Sequence, residues 1–110
     1  MKDPSGILMV EPEHDATPPV LDVFTRKITA AWRDATTDER RRYRGFHLCR
    51  CGAMSDNADH YIDGLLTNSL CVHYVACHRF DLSPAEMEKV AALTHGEAEP
   101  TLKELGRALR

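Results

Sequence analysis

His47-Leu48-Cys49-Arg50-Cys51-Gly52 and Asn68-Ser69-Leu70-Cys71-Val72-His73-Tyr74-Val75-Ala76-Cys77-His78-Arg79 together hold all four cysteines of the chain and three of its six histidines. A fourth histidine, His60, lies between them. Thiolate and neutral imidazole are the ligands that Zn²⁺ prefers, and ligand pairs separated by a spacer of about twenty residues match the pattern of a structural zinc site. The reading of these two segments decides what kind of fold to expect. It is a small domain organised around an ion.

Cys49-Arg50-Cys51-Gly52 reads as a tight metal-binding knuckle. A glycine after the second cysteine lets the backbone turn back and aim amide groups at the sulfurs. The partner pair should come from a helix. His73 with Cys77 has the spacing of four that suits a regular helix. His73 with His78 has a spacing of five, which turns the second side chain about 140° away unless the last helical turn loosens. His78 stands where the helix should end, just before Phe80-Asp81-Leu82-Ser83. Both pairs stay open on spacing alone.

With 110 residues the chain is the size of one domain, and an apolar core of that size is adequate without being generous. The hydrophobic fraction of 43% and charged fraction of 28% are those of a globular protein. No apolar run approaches the roughly 18 to 20 residues of a membrane helix. Met1-Lys2-Asp3-Pro4-Ser5-Gly6 has no continuous apolar segment behind a basic start, so a secretory signal is not expected. We therefore expect a cytoplasmic protein, in which clustered cysteines serve as thiolates rather than disulfides. The net charge of −3 argues against strong non-specific attraction to nucleic acid.

Outward from the ligand segments, residues 1–16 read as a flexible N-terminal segment around one apolar patch, Ile7-Leu8-Met9-Val10, able to lie extended on the core. Residues 17–110 read as a single zinc-binding domain. Thr17 as N-cap and Pro18 in the first turn announce a first helix, with Val20, Phe24, Ile28 and Trp32 as its apolar stripe. Thr36-x-x-Glu39 resembles a capping box and predicts a second helix ending at Gly45. Its Arg40, Arg41, Arg42 and Arg44 could meet phosphate, but the neighbouring Asp34, Asp38 and Glu39 fit a solvated face. Asp63-Gly64 between His60-Tyr61-Ile62 and Leu65-Leu66-Thr67 predicts a two-residue hairpin. A helix should run from Asn68 or Ser69 to Arg79, and another from the N-cap Ser83 with Pro84 and Glu86 behind it. Pro100 opens a last amphipathic piece with Leu102, Leu105 and Leu109. The expected fold is α+β, a central knuckle and β-hairpin surrounded by four to five helices.

Gly45-Phe46-His47, Cys49-x-Cys51-Gly52, Ser55-Asp56-Asn57, Thr67-Asn68-Ser69-Leu70, His73-Tyr74 and His78-Arg79 resemble the signature of a small, uncharacterised group of bacterial zinc-binding proteins. The resemblance covers about the central third of the chain. It implies a site of Cys49, Cys51, His73 and His78, leaving Cys71 and Cys77 as small buried residues. The function expected is an architectural zinc site in an interaction module with a protein partner. Two alternatives are a small zinc hydrolase with Asp56, Asp59 or His60 as base, and a nucleic-acid-binding finger using the arginines. Neither His-Glu-x-x-His nor the deaminase pattern is present to support an enzyme.

Overall fold

The computed structural model describes residues 6–42, 47–56 and 58–106. In chain order they form α1 (Val23–Arg33), β1 (Thr36–Arg42), β2 (Ala58–Ile62), β3 (Leu65–Thr67), α2 (Cys71–Cys77), a 3₁₀ turn (Arg79–Asp81) and α3 (Pro84–Ala91). The fold is mixed α+β, with three α-helices and a three-stranded antiparallel sheet among the described residues. The expectation of four to five helices is not met.

Helix α2 is the axle of the fold. All seven of its residues are buried. A helix apolar all round must be enclosed on every side, and the chain does this by crossing its C-terminal end. The carbonyls of Ala76 and Cys77 accept the amides of Val20 and Thr17 at 2.9 and 2.8 Å, and Val75 O accepts Arg79 Nε at 2.9 Å. Carbonyls that a helix end would otherwise strand are thereby satisfied.

That crossing explains why α1 begins later than expected. Thr17 is occupied at the end of α2, and the N-cap is Asp22, whose side chain accepts the Thr25 amide at 3.2 Å. The buried face of α1 is formed by Thr25, Ile28, Thr29, Ala30 and Ala31. Phe24 and Trp32 pack at its margin, while Val20 is exposed. Thr29 is accommodated because its hydroxyl donates to Thr25 O at 2.7 Å.

The second predicted helix is a strand. Residues 36–42, Thr-Thr-Asp-Glu-Arg-Arg-Arg, contain no apolar side chain, so a helix here would have no face to bury. Pairing with β2 satisfies the backbone instead, in the register Thr36 to Tyr61, Thr37 to His60 and Asp38 to Asp59, with an irregularity before Arg42 meets Ala58. Arg44 and the expected helix end at Gly45 lie outside the described residues. The β2–β3 hairpin forms as predicted. Asp63 and Gly64 both take positive φ, 52° and 81°, as the tight primed turn requires.

Ile7 and Leu8 are fully buried, and Ile7 N donates to Leu66 O at 2.8 Å. Helix α3 starts at Ser83, whose hydroxyl accepts the Glu86 amide at 3.2 Å, as the sequence indicates. Beyond it the chain returns along α1, tied by Arg26 to Glu97 at 2.8 Å and by Arg33 to Glu104 at 2.9 Å. Among the described residues, the piece opened by Pro100 forms a capped turn. Thr101 N donates to Glu104 at 2.9 Å and Glu104 N to Thr101 Oγ1 at 3.1 Å. Leu105 is buried and Leu102 exposed; Leu109 lies outside the described residues. No described helix is long and apolar enough to cross a membrane.

Candidate metal centre

The knuckle is built by its own backbone. Leu48 and Met54 bridge antiparallel, Cys49 N donates to Ala53 O at 2.8 Å, and Gly52 N donates to Cys49 O at 2.9 Å. Gly52 has φ of 98°, a conformation that disfavours any side chain. This turn brings the amides of Arg50 and Cys51 to the Cys49 sulfur, in keeping with the sequence reading. At its base His47 N donates to Ser55 Oγ at 2.8 Å, and Ser55 N returns to His47 O at 2.9 Å.

The helical side of the site depends on how α2 ends. Helical hydrogen bonding reaches His78 N, which donates to Tyr74 O at 3.0 Å, but His78 itself has φ −129° and ψ 39°. That departure is the loosening a spacing of five requires, and it rotates the imidazole back toward His73. The two rings stand edge to face with centroids 4.9 Å apart. Cys77 remains within the helix, and its sulfur lies 3.9 Å from Leu105 O, outside the cluster.

One ligand atom each of Cys49, Cys51, His73 and His78 lies within 4.8 Å of all the others, so this group could hold a metal ion. Cys49 Sγ is 3.1 Å from His78 Nε2, and Cys51 Sγ is 3.2 Å from His73 Nε2. Zinc-to-sulfur and zinc-to-nitrogen lengths of about 2.3 and 2.0–2.1 Å set donors in a tetrahedron roughly 3.3–3.8 Å apart, so these two sulfur–nitrogen pairs would open by only a few tenths of an ångström around an ion.

The tautomer of His73 is decided by its surroundings. Its Nδ1 is 2.7 Å from Leu105 O, which can only accept, so Nδ1 carries the proton and Nε2 keeps its lone pair toward Cys51. A carbonyl behind the second ring nitrogen is the usual outer support of a metal-bound histidine. His78 is wholly buried, and its Nδ1 makes no hydrogen bond among the described residues, with Asp81 Oδ2 at 3.8 Å. Asp81 is itself held by His14 Nδ1 at 2.7 Å and by the amides of Glu13 and His14.

Burial shapes the charge states. It pushes the Cys49 thiol up to about 11 and holds His78 below its ordinary value, so without a cation both favour neutral forms. A divalent ion reverses the balance for the thiols while using neutral imidazole as it stands. Among the other cysteines, Cys71 is fully buried and pushed up to about 12 by the same cause. All four cysteines are free thiols.

The remaining sequence candidates lie elsewhere. His60 Nε2 is 2.9 Å from both Asp56 oxygens, its Nδ1 is 2.9 Å from Thr37 Oγ1, and Trp32 packs edge-on against it. Neither Asp56, Asp59 nor His60 belongs to the metal-ligand cluster. Asn57 lies outside the described residues. The roles of Leu105 and of the His14–Asp81 pair were not legible beforehand, because a backbone carbonyl carries no sequence signature and His14 meets Asp81 from a distant segment. Compared with family models, with curated proteins and with solved structures, the chain finds no match in any of the three.

Proposed function

We propose that the chain is a small zinc-stabilised domain in which Cys49, Cys51, His73 and His78 hold Zn²⁺, and that it serves as an interaction module for a protein partner. The observation that carries this reading is the convergence of four soft and borderline donors, two from a turn and two from the end of a buried helix. Two thiolates with two imidazoles suit tetrahedral zinc better than the oxygen-seeking cations. Four protein donors complete such a shell and leave no position for water, which speaks for architecture over hydrolysis. The ion would tie the knuckle to the end of α2, replacing core area that a chain of this length is hard pressed to supply.

A protein partner is supported by the apolar side chains left in solvent, Leu48 and Met54 across the knuckle and Phe80 just beyond α2. The net charge of −3 makes nucleic acid the weaker alternative. Four free thiols suit a reducing compartment, and we place the protein in the cytoplasm. The resemblance to bacterial zinc-binding proteins belongs to the same reading, since its pattern includes all four ligands.

Metal analysis of the native protein, joined to absorption spectroscopy of its cobalt form, tests the proposal. One ion per chain, thiolate-to-cobalt bands for two sulfurs and a four-coordinate spectrum are expected. A folded chain that is metal-free as isolated, and stays so when zinc is offered, overturns it.

A further inference from the structure

Of the four cysteines, three are buried and one, Cys51, is exposed. Cys51 is also the neighbour of Cys49, one residue away in the knuckle and in the same group of ligand atoms within 4.8 Å of one another. The other two thiols are placed differently. Cys71 and Cys77 lie on the enclosed helix α2, at 0% and 1% exposure, where a dissolved oxidant has no access. The fold therefore presents one thiol to solvent, with a second, protected thiol directly behind it.

We propose that Cys49 and Cys51 form an oxidisable dithiol, with hydrogen peroxide as the oxidant, and that closing their disulfide releases the metal. This rests on the zinc reading for the release and for the thiolate form of both sulfurs, while the pairing of Cys49 with Cys51 rests on the knuckle geometry alone. Metal ligation keeps both sulfurs as thiolates, the form that attacks peroxide. The Cys51 sulfur attacks one peroxide oxygen, the O–O bond breaks, and Cys51 sulfenic acid and hydroxide result. Cys49 thiolate then displaces a second hydroxide from that sulfur, forming the S–S bond. Two thiolates have lost two electrons in total, and one peroxide has been reduced to two hydroxides. Two of the four donors are thereby consumed, and His73 with His78 alone make a poor site for the ion. A disulfide in so short a loop, with Cys51 open to solvent, belongs to the readily reduced kind, so cellular thiols would restore the site.

The test uses the full chain loaded with zinc and titrated with hydrogen peroxide. A chromogenic chelator reports free zinc, and alkylation with mass mapping reports each cysteine. The expected result is a Cys49–Cys51 peptide lighter by two hydrogen atoms, one zinc released for each pair of thiols lost, and recovery of both on adding dithiothreitol. Cys71→Ala should keep the response and Cys51→Ser should lose the disulfide; if Cys51→Ser does not fold, the wild-type map decides alone. Retention of alkylatable Cys49 and Cys51, oxidation of Cys51 to sulfinic acid without a disulfide, or prior loss of Cys71 or Cys77 would each overturn the proposal. A reduced chain that never takes up zinc defeats the zinc reading and the release with it, whereas the same map still upholds the dithiol if the disulfide closes and overturns it if not.

Discussion

Gly106 sits directly on the imidazole of His73. A Cβ at position 106 would lie 2.7 Å from His73 Nδ1 and 2.9 Å from its Cγ, and the glycine has φ of 79°. The preceding carbonyl, Leu105 O, accepts from that same Nδ1. A turn more than thirty residues away thus holds a metal-ligand candidate by contact and by hydrogen bond. Replacing Gly106 with alanine should displace the ring. We expect zinc affinity to fall by about 10- to 100-fold, the usual cost of losing an outer support, and stability by about 1–3 kcal/mol from the strained backbone. Competition with a zinc chelator and a urea melt measure the two separately.

Removing the ion should loosen the fold as a whole. Structural zinc in small domains contributes on the order of 10 kcal/mol of coupled folding free energy, comparable to the entire stability of a domain. Chelation is expected to abolish the cooperative thermal transition and the near-ultraviolet signal of Tyr74 and Trp32, with recovery when zinc is returned. An unchanged melt after complete removal counts against an architectural role.

Cys77 and His78 separate the two ligand sets left open by spacing. His78→Ala should lower zinc affinity by at least about 100-fold, by leaving three donors where zinc needs four. Cys77→Ala should leave cobalt bands for two thiolates in place and cost about 1 kcal/mol of packing. Loss of a thiolate band in Cys77→Ala would exchange the assignments.

His95 links three segments through two carboxylates, with Nδ1 2.9 Å from Asp34 and Nε2 2.8 Å from Asp63. Donating to both needs protons on both nitrogens, so Asp34 first and Asp63 next raise its pKa above 6.5. A raised folded value contributes stability that is fully present below the unfolded value and is lost as pH rises through the folded one. Stability should therefore decline from about pH 6.5 upward by roughly 0.2–1 kcal/mol, the range of exposed ion pairs. His95→Gln should flatten that slope, and a ring-proton titration by NMR gives the pKa directly.

At the other end of α1, Asp22 pairs with Arg79 through two contacts of 2.8 Å while capping the helix. The Arg79 hydrogen bond, opposed by burial and aided by the Thr25 amide, lowers its pKa from 3.8 to about 2. This depressed carboxylate stabilises the fold above pH 3.8, and the contribution disappears as pH falls toward 2. Asp22→Ala should cost about 1–2 kcal/mol at neutral pH, the usual value of a lost N-cap. A denaturant melt at pH 7 and at pH 3 should show the deficit shrinking in acid.

Local chemistry made several features readable in advance. Cys49-x-Cys51-Gly52 specified a turn because a positive φ at Gly52 has few other tenants. Asp63-Gly64 specified a hairpin and Ser83-Pro84 a helix start for equally local reasons. Thr36-x-x-Glu39 misled, since capping-box chemistry is worth little when residues 36–42 offer no apolar side chain for a helix to bury, and pairing along the edge of β2 gives the backbone partners instead. Thr17 misled because both its amide and its hydroxyl turn to Cys77 O at the end of α2, and the cap falls to Asp22.

Residue types alone nominated a metal cluster and limited its helical half to His73 with either Cys77 or His78, because thiolate and imidazole are chemically distinctive wherever they occur. Which of the two joins the cluster was settled by the backbone of His78 leaving the helix, and which nitrogen of His73 faces Cys51 was settled by Leu105 arriving from the far end of the chain. Such choices belong to tertiary structure. They depend on where distant segments cross, and a side chain's own chemistry carries no record of its eventual neighbours.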